Sequence, residues 1–194
     1  MTTARDLALV VLGMPADRQR DLSLALAGAE GIDLLERGAL RLDGDRMVPG
    51  SEPAGEDPLL SRAFTGIRRQ RPYETVGEWI RRHGIGLAEA YAGELESTGL
   101  LVRPRGRGIL ARPAPVLPAD SPEHRRADER LASGEPVLTA LVGVLDTGGI
   151  PADVDTGNAV STVLAAVAET VTAVEAARLR RYVEDAAFDN IWRA

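Results

Sequence analysis

Near the C-terminus, Val160, Val163, Leu164, Val167, Val171 and Val174 recur at the spacing of one face of an α-helix. The stretch from Ala159 to Ala177 that carries them is interrupted by Glu169 and Glu175 and is rich in Ala and Thr. It reads as a core helix rather than a bilayer span, and a helix with one long apolar face needs other helices to cover it. The rest of the chain supplies them. Aromatic residues make up only 4% of the sequence, so Leu, Val and Ala must fill the interior, a mixture that favours helices over sheets.

Start and stop signals divide the remainder into short elements. Thr3 and Asp6 form a capping pair ahead of Leu7 and Leu9 to Leu12, which predicts a first helix ended by Gly13, Met14 and Pro15. Leu22, Leu24 to Leu26, Ile32, Leu34 and Leu35 continue with helical spacing up to Gly38, with Gly28 and Gly31 as candidate breaks. Leu40 to Val48 alternates apolar and polar residues around Asp43-Gly44, the pattern of a hairpin. Asp57 followed by Pro58 starts a helix expected to reach about Arg69. Thr75 and Glu78 make a capping box for Val76 to Arg82, and a further helix covers Leu87 to Ser97 and stops at Gly99.

Leu100 to Val102 and Gly108 to Ala111 then flank Arg103-Pro-Arg-Gly-Arg107, a predicted second hairpin with a basic tip. After a proline-marked crossing, helices are expected at Glu123 to Leu131 and Val137 to Leu145. The expected fold class is mainly α: a compact multi-helix domain with one or two short β-hairpins, formed as a single domain over residues 1–194.

Several chemistries are unsupported. There is no cysteine, hence no disulfide, thiolate metal site or Cys nucleophile. His83 and His124 are the only histidines and lie far apart, so neither a metal nor another cofactor is expected. Asp146-Thr147-Gly148 looks like half of an aspartic-protease site, but no second copy exists, and a helix-ending turn is the simpler reading. Trp79 reads as core. No nucleotide-binding or hydrolase fingerprint occurs, and the chain is expected not to be an enzyme.

Charge is unevenly spread. The net charge is −6, yet residues 62–130 hold 13 Arg against nine acids. Every basic residue is Arg, as a high-GC bacterial coding sequence would produce. A basic middle between acidic ends suits an anionic partner, with solvated helix faces as the plain alternative. The candidate anion- or lipid-binding residues are Arg18, Arg81, Arg82, Arg103, Arg105 and Arg107, with Arg20 able to face the same side as Arg18. Ile109 and Leu110, beside the basic tip, are the candidate membrane or self-association residues.

Four phrases in order resemble the Golgi phosphoprotein family: Asp33-Leu-Leu-Glu-Arg-Gly-Ala-Leu-Arg-Leu42, Asp57-Pro-Leu-Leu-Ser-Arg-Ala-Phe64, Arg71-Pro-Tyr-Glu-Thr-Val-Gly-Glu-Trp-Ile80 and Leu95-Glu-Ser-Thr-Gly-Leu-Leu101. The resemblance implies a mostly α-helical peripheral membrane adaptor that binds phosphatidylinositol 4-phosphate through convergent arginines. The family's first pocket Arg falls on Ala27, its later pair on Ile85 and Ala88, and its pocket Trp near Arg18. The resemblance therefore implies a lipid contact that is weak and electrostatic rather than head-group specific. The expected partners are an anionic membrane lipid and a second copy or another protein. The expected location is cytoplasmic, peripheral on the inner face of a membrane.

A winged-helix DNA-binding regulator is the rival reading, with Leu87 to Ser97 as recognition helix and Arg103 to Arg107 as wing. That helix offers Glu89, Glu94 and Glu96 and no Arg, so nucleic acid is disfavoured. A protein-interaction domain without lipid function is the third reading.

Overall fold

The computed structural model describes residues 2–11, 15, 18–53, 55, 57–102, 117–149 and 157–191. Among them the chain forms α1 (Thr3–Val10), α2 (Gln19–Glu36), β1 (Leu40–Asp43), β2 (Arg46–Pro49), α3 (Pro58–Thr65) and α4 (Val76–His83). It continues with α5 (Leu87–Ser97), β3 (Leu101–Val102), β4 (Leu117–Pro118), α6 (Pro122–Ala132), α7 (Pro136–Thr147) and α8 (Asn158–Ile191). The mainly α expectation holds, with two small antiparallel sheets.

Everything is organised around α2, which is buried continuously from Asp21 to Leu34. A helix apolar on nearly every face belongs at the centre of a domain, and α1, α3, α4, α5, α7 and α8 all pack on this one. Gly28 and Gly31 do not break it. A Cβ at Gly28 would sit 2.1 Å from Val167 Cγ2 of α8, and one at Gly31 would sit 3.3 Å from Trp79 Cζ3 of α4. The two glycines are the slots through which α8 and α4 approach the central helix.

The short helices depend on their caps, each of which contributes about 1 kcal/mol. Asp57 accepts from the amides of Leu59 and Leu60, and Thr75 and Glu78 complete the capping box reciprocally. The first helix differs from expectation: its N-cap is Thr2, whose hydroxyl accepts from the Arg5 amide, and Asp6 instead receives a bond from Arg130 of α6 at 2.7 Å. The Thr3 and Ala4 amides reach across the chain to Asp33 of α2, at 2.8 and 3.1 Å.

Two boundaries are corrected. α3 ends at Thr65, short of Arg69, because Arg82 of α4 takes the Gly66 carbonyl and turns the chain away. Gly28 and Gly31 lie within one continuous helix. β3 pairs with β4, Leu101 with Pro118 and Val102 with Leu117, while the expected strand Gly108 to Ala111 and the tip Arg103 to Arg107 lie outside the described residues.

The last helix has the length and mean hydropathy of a membrane span over Asn158–Val183, at 1.4. Its apolar stripe is nonetheless occupied by the protein: Val163, Leu164, Val167 and Val171 are buried against α2, α4 and α7. Asp146-Thr147-Gly148 forms the end of α7, with Gly148 at φ +73° supplying the left-handed stop.

Candidate functional site

The N-terminal end of α2 brings three separate parts of the chain together. Arg18, at its N-cap, bonds Asp21 at 2.9 Å and also donates to the Leu145 carbonyl of α7. Burial raises the Asp21 carboxyl above its ordinary range against the pull of Arg18, and Glu175 and Arg178 of α8 lie close enough to act on it too. One turn further, the Ser23 hydroxyl accepts from the Ala88 amide of α5 at 3.1 Å. The turn between α4 and α5 packs here as well. A Cβ at Gly84 would lie 2.8 Å from the Ile80 carbonyl and 3.0 Å from that of Ser23, so only glycine fits the approach.

That turn leaves Ile85 79% exposed. Beyond the packed part of α8, Leu179, Tyr182 and Val183 are 65%, 74% and 64% exposed. Arg178, Arg180 and Arg181 alternate with them and are exposed too. This end of the molecule therefore carries large apolar side chains interleaved with guanidinium groups, close to Arg18 and the exposed Arg20.

The arginines singled out from sequence divide sharply. Arg82 is structural: it bonds Glu74 at 2.6 and 3.2 Å, and the Glu74 side chain is only 1% exposed. Arg18 is likewise committed to Asp21 and Leu145. Arg81 is exposed on α4. Arg103, Arg105, Arg107, Ile109 and Leu110 lie outside the described residues. What sequence reading missed is the Leu179 to Val183 patch. Its signal was available, since beyond Val174 the apolar residues leave the stripe of α8, with Leu179 and Val183 off its face and interspersed with Arg178, Arg180 and Arg181.

His83 ends α4 and also ties it to the core. It stacks on Trp79, ring centroids 4.7 Å apart, and reaches the fully buried Glu30 of α2. Glu30 also accepts from the Tyr91 hydroxyl at 3.0 Å. Tyr91 borders a cavity of only about 10 Å³, too small for a substrate, so the cluster reads as a polar rivet between α2, α4 and α5. Among the described residues no three potential ligands gather into a metal site.

The family model for Golgi phosphoprotein 3 (GPP34) matches residues 4–187. The chain belongs to this family. No curated protein matches the sequence. Of the positions that the resemblance equates with the Golgi phosphoprotein pocket, Ala27 is fully buried in the middle of α2, Ala88 is 4% exposed in the first turn of α5, and Ile85 projects from the turn before it.

Proposed function

We propose that this Golgi phosphoprotein family member is a non-catalytic peripheral membrane protein that docks on anionic bilayers by the N-terminal end of α2. The observation that carries this reading is the exposed set Ile85, Leu179, Tyr182 and Val183, set among Arg178, Arg180 and Arg181. Apolar side chains of this size enter the acyl boundary, while each Arg near an anionic surface adds about 1 kcal/mol. With alanine at positions 27 and 88 there is no fork of guanidinium groups to grip one head group. The attraction is therefore to surface charge and fades with salt.

Co-sedimentation with phosphatidylcholine vesicles, with and without phosphatidylserine, tests the reading at low and physiological salt. Binding should need the anionic lipid and weaken as salt rises. Arg180→Gln with Arg181→Gln should cut it about thirtyfold, the equivalent of two surface arginines. Binding that persists in the double variant, or that requires phosphatidylinositol 4-phosphate, would overturn the diffuse-surface mechanism. Absence of binding to any vesicle would overturn the membrane reading itself.

A further inference from the structure

At the other end of α2, about 27 Å away by the rise of its 18 residues, lies a cleft of about 570 Å³. Its walls come from the start of α1, the C-cap of α2, the segment leading into α3, the end of α5 and the first turns of α6. Arg5, Arg37 and Arg126 line it together. Arg5 buries its Nε with no hydrogen-bond partner among the described residues, and Arg37 makes no ion pair among them. Arg126 is held loosely by Glu123 at 3.8 Å.

Among the described residues two carboxylates also line the cleft, and one oxygen of each is engaged. Asp57 Oδ1 accepts the amides of Leu59 and Leu60 as the cap of α3, and Glu123 pairs with Arg126. Arg37 thus has no ion pair among the described residues, while Arg5 lies beside Asp57 and Glu94, with which it lines a small neighbouring cavity. The cleft also meets the N-terminal ends of α1, α3 and α6, whose aligned peptide dipoles add positive potential. The hydroxyls of Thr2 and Thr98 complete a polar lining.

We propose that this cleft is a second binding site, for a soluble phosphomonoester carried on a hydroxyl-bearing body of sugar-phosphate size. A volume of this order fits such a molecule. The exposed Arg37 fork, with Arg126 on the same cleft, supplies bidentate donors for phosphate oxygens, which a lysine could not reproduce. Thr98 and the carboxylate of Asp57 are placed to meet hydroxyl groups. The site faces away from the proposed bilayer surface, so its ligand arrives from solution.

Titration calorimetry of the full chain with glucose 6-phosphate, inorganic phosphate and glucose tests this. Glucose 6-phosphate should bind more tightly than inorganic phosphate, and glucose should give no heat. Arg37 and Arg126 stand on the surface, so Arg37→Gln with Arg126→Gln should fold normally by circular dichroism and bind at least tenfold more weakly; Arg37→Gln alone should lose several-fold. Equal binding by wild type and variants, or no heat from either phosphate, would overturn the site. Vesicle binding should be unchanged in the double variant. Its loss there would make the cleft a lipid head-group site and overturn the soluble assignment, whatever becomes of the surface around Leu179.

Discussion

His83 Nε2 lies 2.5 Å from Glu30 Oε2, with the two side chains 8% and 0% exposed. The contact joins the last residue of α4 to the middle of α2, and the Tyr91 hydroxyl closes the other side of the same carboxylate. Burial raises the Glu30 carboxyl, and its bonds to His83 and Tyr91 work in the opposite direction. Glu30→Ala would strand both partners in the interior. Leaving two buried polar groups unmet should cost about 3 kcal/mol or more. Urea unfolding monitored by tryptophan fluorescence should show the unfolding free energy fall by that amount, and an unchanged midpoint would mean the cluster is dispensable.

Gly28→Ala should destabilise the chain although alanine is the better helix former by about 1 kcal/mol. The new methyl would meet Val167 Cγ2 at 2.1 Å, and overpacking of this kind costs about 1–3 kcal/mol or more. Adding Val167→Ala should recover part of the loss, giving a coupling energy in a double-mutant cycle. Gly31→Ala, with 3.3 Å to a Trp79 ring edge, should be the milder change. Additive effects of Gly28→Ala and Val167→Ala would disprove the slot.

Asp33 titrates at about 6 against an ordinary 3.8, because burial penalises its charge more than the amides of Ala4 and Thr3 favour it. The folded chain therefore holds the Asp33 proton more tightly than the unfolded chain. Stability from this proton is fully present below pH 3.8 and is lost as pH rises through about 6, a change of about 3 kcal/mol. Asp33→Asn removes the titration. Subtracting its stability curve from that of wild type should leave a difference that moves against wild type from acid to neutral pH; a flat difference would refute the shift.

Arg82→Ala should lower stability by about 3 kcal/mol, since it leaves the buried Glu74 with only the Arg68 amide at 3.1 Å and the exposed Arg68 guanidinium at 3.9 Å. Arg81→Ala, one residue earlier and exposed, should stay within about 0.5 kcal/mol. Thermal unfolding of the two variants side by side checks this. Equal melting temperatures would show that Glu74 does not need Arg82.

What could be read in advance was local. Asp57-Pro58, Thr75 with Glu78, and Asp43-Gly44 act within three or four residues of themselves, and each does what its chemistry predicts. The misreadings all involve partners outside the residue's own helix. Asp6 was assigned to its own helix but bonds Arg130, and Arg82 was grouped with surface arginines but bonds Glu74 beneath it. Gly28 and Gly31 looked like breaks because a sequence shows the helix they weaken, not the α8 and α4 side chains they admit. For the same reason the exposed patch at Leu179 became visible only once the packed part of α8 was known.

Asp33 has a consequence for the order of assembly. An eight-residue helix such as α1 is too short to persist alone in water. The amides of its first turn are satisfied by a carboxylate 30 residues later, and Asp6 is clasped by Arg130, 124 residues away. The first turn of α1 is therefore completed by α2 and its Asp6 by α6, so the beginning of the chain, although synthesised first, holds its helix only with those two later helices in place.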